Sequence, residues 1–197
     1  NKIVSIWKTI KYHLKHDSWS LILATWFWVG LIPPLPPFNG LAGTYGSLAA
    51  IPLCLFALNL HWTWYVYIML AIHKIGIDII DKGQRDLGPR EDYEGNIRDR
   101  DQNEIVIDEI LGMLATYLIM FTIFALPVNF WTCSAGFLLF RLFDLLKKLP
   151  GIHYWHNKQQ NPLGIMMDDV VAGLYAGITG TIVYYIVILV NYLFPFF

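Results

Sequence analysis

The sequence predicts an all-α fold, a polytopic membrane bundle of about five membrane-embedded helices preceded by an amphipathic interfacial helix. Three observations lead there. Of 197 residues, 56 % are hydrophobic and 15 % charged, with a mean hydropathy of +0.47, well above the balance of an ordinary soluble domain. The apolar residues form blocks, roughly Ser47 to Ile77, Ile105 to Trp131, Thr132 to Leu146 and Val170 to Phe197, and a spanning helix needs about 20 of them. All 14 basic residues fall in Lys2 to Lys15, Lys74 to Arg100 and Arg141 to Lys158. The polar connections are too short to fold separately, so residues 1–197 are expected to form one domain.

Composition also excludes. A formal charge of −1 gives no bulk attraction to nucleic acid. Cys54 and Cys133 stand inside apolar blocks without a CxxC or a ligand cluster, which leaves two buried structural thiols and no redox or zinc site. No small-residue cleavage site follows a short apolar core, so no cleaved signal peptide is expected.

Along the chain, Ile3, Ile6, Trp7, Ile10 and Leu14 recur at helical spacing while Lys8, Lys11 and Lys15 share another face. Residues 1–18 thus read as a basic helix on an anionic membrane surface. Trp19 to Ile32 is apolar and aromatic but too short for a full crossing, and PPLPPFNG after it breaks any helix. GTYGSLAAIPL reads as a glycine-rich turn with Thr44 or Ser47 capping the next helix. Asn59 to His61 turns the chain into a second helix that runs to about Asp81. The stretch 82–104 is polar, broken by Gly83, Gly88, Pro89 and Gly95, and reads as a cytoplasmic loop. Ile105 to Leu126 makes a third helix and Phe130 to Leu149 a fourth, stopped by Pro150 and Gly151. His153 to Pro162 is polar, with Tyr154 and Trp155 as interface residues. The last helix starts near Gly164 or Ile165 and ends by Phe194, with Gly173, Gly177 and Gly180 on a face suited to close packing.

Alternating these helices across a bilayer puts every basic segment on one side and every uncharged turn on the other. By the positive-inside rule that side is cytoplasmic.

On the same side the sequence gathers acids. Asp108 and Glu109 in IVIDEILG and Asp168 and Asp169 in GIMMDDVVAG begin helices, and Asp144 in FRLFDLLKK lies near the end of another. At 1.5 Å rise per residue, all five fall within about 10 Å of one boundary. Carboxylates in apolar sequence are costly unless they face a cavity, a partner or a metal. Oxygen donors without a Cys or His framework favour Mg²⁺ or Mn²⁺. Asp108, Glu109, Asp144, Asp168 and Asp169 are therefore the candidate catalytic and metal-binding residues. One member of each pair would bind the ion, and the other water, a second ion or a basic side chain. Arg141, Asp144 and Lys148 at i, i+3 and i+7 would equally make an ion-pair ladder.

Gly43, Thr44, Gly46 and Ser47 open on that side too, where backbone amides at a helix N-terminus attract phosphate. Arg141, Lys147 and Lys148 would complete the cradle, Arg by bidentate contacts and Lys as a point charge. Phosphate and divalent metal at a lipid boundary point to chemistry on a phospholipid headgroup.

Through GTYGSLAAIPL, IVIDEILGM, FRLFDLLKKLP and GIMMDDVVAG, in that order from about Gly43 to Gly177, the chain resembles the phosphatidylglycerophosphatase A family of Mg²⁺-dependent membrane phosphatases. The resemblance implies hydrolysis of phosphatidylglycerophosphate to phosphatidylglycerol and phosphate at the cytoplasmic face of a bacterial inner membrane. It departs from the family pattern at Asn161-Pro162-Leu163-Gly164, where a Gly-Gly pair commonly stands, and in a long 82–100 loop. Attack by water and an aspartyl-phosphate route both stay open. A divalent-cation transporter is the alternative from another class. Asp78, Asp81, Asp86 and Asp92 suggest a CDP-alcohol phosphotransferase, but the glycine of DIIDKGQRD is misplaced for that motif. His153 and His156 could supply a proton, although interface polarity explains them as well.

Overall fold

A computed structural model describes residues 18–32, 42–91, 97–98, 102–158 and 161–194. The expected basic helix over 1–18, apart from Ser18, the PPLPPFNG break and the middle of the polar loop lie outside the described residues. Helix α1 (Trp19–Ala24) is followed by a single 3₁₀ turn at Val29–Leu31, then α2 (Ala42–Leu58) and α3 (Trp62–Leu87). A two-residue antiparallel pair, β1 (Arg90–Glu91) with β2 (Ile97–Arg98), leads to α4 (Ile107–Tyr117), whose last residues widen into a π-helical turn over Leu118–Ile123. After it come α5 (Phe130–Leu145), the short α6 (Ile152–His156) and α7 (Pro162–Leu193). The all-α expectation holds.

Helix α4 is the axis of the bundle. Ile110, Met113, Leu114 and Tyr117 on it pack with Ala50, Cys54 and Ala57 of α2, Tyr65 of α3, Phe140 of α5, and Ala172 and Ala176 of α7. Two buried phenols tie neighbours to its backbone level: Tyr65 donates to the Leu114 carbonyl at 2.9 Å, and Tyr117 donates to the Cys133 carbonyl at 2.9 Å. Burial of a phenol is tolerable only with such a partner.

Helices α4 and α7 approach closely. A Cβ placed on Gly173 would overlap the Gly112 carbonyl oxygen, and one on Gly177 would lie 3.0 Å from the Thr116 carbonyl oxygen. The two backbones are in contact, which side chains at these positions would forbid.

Several boundaries differ from those expected. Helix α3 continues to Leu87, beyond Asp81, because Ile80, Gly83, Gln84 and Leu87 are buried at i, i+3, i+4 and i+7 within a stretch that reads as polar. Gln102 then donates to the Gln84 and Gly88 carbonyls at 3.4 and 3.2 Å. The segment Gly43 to Ser47 is not a turn but the first turns of α2. Ser47 caps nothing; its hydroxyl donates to the Gly43 carbonyl at 2.7 Å. Helix α5 stops at Leu145, four residues early, and α6 occupies part of the expected polar connection. Helix α7 starts at Pro162, capped by Asn161, which accepts from the Gly164 amide at 2.8 Å. The departure at Asn161-Pro162 is thus an N-cap followed by a proline at the first helical position.

Among the described residues, two helices are long and apolar enough to cross a membrane, Trp62–Leu87 and Pro162–Leu193. They measure about 39 and 48 Å at 1.5 Å per residue. Ala42–Leu58 is apolar but has 17 residues, and α4 and α5 are shorter still, below the roughly 20 residues of a straight crossing.

Replacing Gly173 by Ala should push α7 off α4 at the cost of overpacking, about 1–3 kcal/mol. A lowered thermal midpoint of the detergent-solubilised protein, against an unchanged midpoint for the exposed Ile178→Ala, is the expected outcome.

Candidate active site

The carboxylates meet because of where the crossing glycines stand. Asp108 precedes Gly112 by four residues on α4, and Asp169 precedes Gly173 by four on α7. Residues at i and i+4 share a helix face, so the faces that touch at the glycines carry these two acids one turn away. Asp108, Glu109 and Asp169 then offer oxygens that lie within 4.8 Å of one another. Asp108 is 8 % exposed and Asp169 3 %.

The remaining two acids sit on the basic side of this cluster. Asp144, in the last turn of α5, accepts from Arg141 at 2.7 Å and from Lys147 at 2.5 Å, and it also faces Asp169. Asp168 is 1 % exposed; its carboxylate lies 3.3 Å from Lys147 Nζ and 3.6 Å from His156 Nδ1. Lys147 also reaches Asp169 at 3.6 Å. Burial alone would lower the pKa of the Lys147 ammonium, but Asp169, Asp144 and Asp168 together raise it above the ordinary lysine value. Lys147 therefore stays charged.

Helix α2 closes the site from a third direction. Gly43, in its first turn, has no room for a side chain: a Cβ there would overlap Glu109 Oε1 and stand 3.0 Å from both Arg141 terminal nitrogens. Arg141 also lies 3.4 Å from the Ser47 hydroxyl. The N-terminal amides of α2, which a helix dipole makes attractive to anions, thus border Glu109 and Arg141. Gly43 and Ser47, expected to belong to a phosphate-binding turn, instead stand in a helix end beside Glu109 and Arg141. Gly46 is used for packing on Val106, and Thr44 is half-buried.

The donor set fits a hard divalent cation. It is all oxygen, Asp108 and Asp169 are buried with Glu109 half-buried, and Glu109 Oε2 is enclosed without a hydrogen-bond partner, a costly state for a carboxylate oxygen unless a cation completes it. Asp108, Glu109 and Asp169 are the residues that would hold magnesium. Asp144 and Asp168 face Lys147 and other basic side chains.

The ladder expected from Arg141, Asp144 and Lys148 is realised with Lys147 in place of Lys148. Because α5 ends at Leu145, the next residues leave the helical register, so Lys147 turns into the acids and Lys148 into a separate cavity. Asp78 pairs with Lys74 on an exposed face at 2.7 Å, and Asp86 accepts from Ser18. The acids of α3 thus have partners of their own. His156 does reach the site, a placement its i, i+3 relation to His153 could not settle. Gly112 carried a readable signal, a glycine four residues after the acid in both motifs.

This constellation has relatives. The family model for phosphatidylglycerophosphatase A matches residues 22–184. The chain belongs to that family. It is 34 % identical over 177 residues to the phosphatidylglycerophosphatase A of Escherichia coli (strain K12), covering 89 % of this chain and 88 % of that one. With the phosphatidylglycerophosphatase A of Haemophilus influenzae (strain ATCC 51907 / DSM 11121 / KW20 / Rd) the identity is 35 % over 157 residues, 79 % and 82 % of the two chains. No solved structure matches significantly. The family match spans Gly43, Asp108, Glu109, Arg141, Asp144, Lys147, Asp168 and Asp169, so it covers the whole site.

In this member of the family, Gly43→Ala should displace the Glu109 carboxylate and lower phosphate release by about tenfold or more. Its thermal midpoint should fall less than that of Gly173→Ala, because α2 can shift at its end whereas the α4–α7 crossing is central.

Proposed function

We propose that this chain is a magnesium-dependent phosphatase that hydrolyses the phosphate monoester of phosphatidylglycerophosphate, giving phosphatidylglycerol and inorganic phosphate, at the cytoplasmic surface of a bacterial inner membrane. Family membership supports the lipid phosphatase activity. The observation that carries the chemistry is the buried Asp108, Glu109 and Asp169 cluster, bordered by Arg141 and Lys147.

Each residue has a task in this reading. Asp108, Glu109 and Asp169 hold magnesium, which when bound supplies Lewis-acid polarisation of the phosphoryl group and acidification of water. Arg141, already aligned by Asp144 and near Ser47, offers bidentate donors to phosphoryl oxygens as negative charge develops. Lys147 places a fixed positive charge among the acids. Asp168 or Asp144 orients the attacking water and takes its proton; attack by a carboxylate to form an aspartyl phosphate is the second route. The α2 amides add donors to a non-bridging oxygen.

The membrane setting belongs to the same proposal. About five segments embed in the bilayer, α3 and α7 crossing it fully and the shorter ones packing around α4 inside the protein. The acids stand at one end: Asp108 is the second residue of α4, and Asp169 the eighth of the 32 residues of α7. A transporter would put them near the middle of the membrane. Lys82, Arg85, Arg141, Lys147, Lys148 and Lys158 belong to two of the three basic stretches of the sequence, which supports a cytoplasmic site by the positive-inside rule.

Purified protein in mixed micelles should release phosphate from phosphatidylglycerophosphate, lose that activity with a chelator, and regain it with Mg²⁺. Absence of release from the wild type while a control lipid phosphatase works overturns the assignment. Asp108→Asn and Asp169→Asn should each lower turnover by at least about 100-fold while keeping the cooperative melt; full activity in either would remove that residue from the metal site.

A further inference from the structure

Beside the carboxylates lies an open cavity of about 590 Å³, lined by Lys148, Gly151, His153, Tyr154, Asn157 and Lys158. Its charge is opposite to its neighbour's. No acidic residue lines it, and among the described residues no carboxylate stands within ion-pair distance of Lys148 or Lys158. Lys147, one position earlier, is held by three carboxylates. Two ammonium groups in one concavity, without counter-charge among the described residues, concentrate anions there. The His153 ring and the Asn157 amide, 3.0 Å apart, add hydrogen-bonding groups.

The cavity is built rather than incidental. Lys158 hydrogen-bonds the Tyr154 hydroxyl and lies 4.0 Å over its ring, which holds a long side chain over the opening. Pro150 forms one wall, and its carbonyl accepts from Tyr175 of α7 at 3.1 Å. Tyr175 in turn stacks on Phe143 of α5 with centroids 5.7 Å apart. The wall is therefore tied to the two helices that carry Asp144 and Asp169.

We propose that this cavity is a second anion subsite, which binds the phosphodiester of a glycerophospholipid headgroup next to the monoester handled by the carboxylates. Helix α6 borders both places. His156 points to Asp168, while His153 lines the cavity three residues earlier, about 4.5 Å along the helix. Phosphatidylglycerophosphate carries its diester and its monoester on one glycerol, so neighbouring sites suit its two phosphates, and Tyr154 with Trp155 suits the headgroup level of a bilayer. The substrate's own diester and that of a neighbouring anionic lipid share this chemistry. The proposal rests on the lipid phosphatase reading for the identity of its lipid alone.

Retention of phosphatidylglycerol, which carries the diester and no monoester, can be read by native mass spectrometry of the detergent-purified protein. Wild type and Lys148→Arg/Lys158→Arg should retain it, and Lys148→Gln/Lys158→Gln should need about tenfold more lipid, the factor of one lost charge-assisted contact. Equal retention by all three overturns the subsite. Kinetics then identify the source in neutral micelles with phosphatidylglycerophosphate as the sole anionic lipid. A KM raised about tenfold in the Gln variant, with kcat within about twofold, assigns the cavity to the substrate's own diester. A KM difference that emerges only with added phosphatidylglycerol assigns it to a neighbouring lipid, and no difference in either arm overturns the proposal. A wild type without turnover removes the phosphatase reading, whereas lipid retention still decides the subsite.

Discussion

Everything at the site depends on two helices touching through their backbones. Where α7 crosses α4, Gly173 meets the Gly112 carbonyl with no side chain between them. One turn away on the same faces stand Asp169 and Asp108, so the contact that holds the bundle together also presses carboxylates together. Like charges brought this close repel. Cations alongside relieve that repulsion: Arg141 and Lys147 supply fixed charges, and the three acids form an oxygen-lined position that could hold a divalent ion.

The division of labour among the five acids follows from helix geometry. Asp108, Glu109 and Asp169 lie on the side where α2 closes over the cluster, and there Gly43 leaves space for a carboxylate. Asp144 and Asp168 lie toward the end of α5, where the chain leaves the helix and Lys147 can turn inward. The site therefore has an acidic half, with three carboxylates that could hold a metal ion, and a basic half formed by Arg141 and Lys147. A phosphoryl group needs both, because its oxygens must be neutralised while water is delivered at phosphorus.

The same end of the bundle carries the basic cavity of Lys148 and Lys158, so successive lysines serve different neighbours. Lys147 is consumed by carboxylates, and Lys148 lines the neighbouring cavity. Placing polar work at one end leaves the other end, with its turns at Asn59 and Asn129, to apolar and capping interactions such as the Asn129–Thr132 capping box of α5. Asymmetry of this kind suits an enzyme whose substrate stays in one leaflet.

Residue chemistry and periodicity alone determined the helical class, the acidic motifs, the basic ones and their common end, because burying a carboxylate in apolar sequence demands a partner wherever the chain folds. The buried face of Ile80, Gly83, Gln84 and Leu87 escaped notice, since that stretch is polar in composition and its burial comes from α1. GTYGS read as a turn because glycine usually marks one, whereas here its glycines serve close packing on Val106 and Glu109. Only the tertiary structure decided which three acids bring their oxygens together, and that Lys147 rather than Lys148 joins the acids. Those outcomes hang on a helix crossing and a helix end, and both are set by contacts between residues far apart in the chain, which local spacing does not encode.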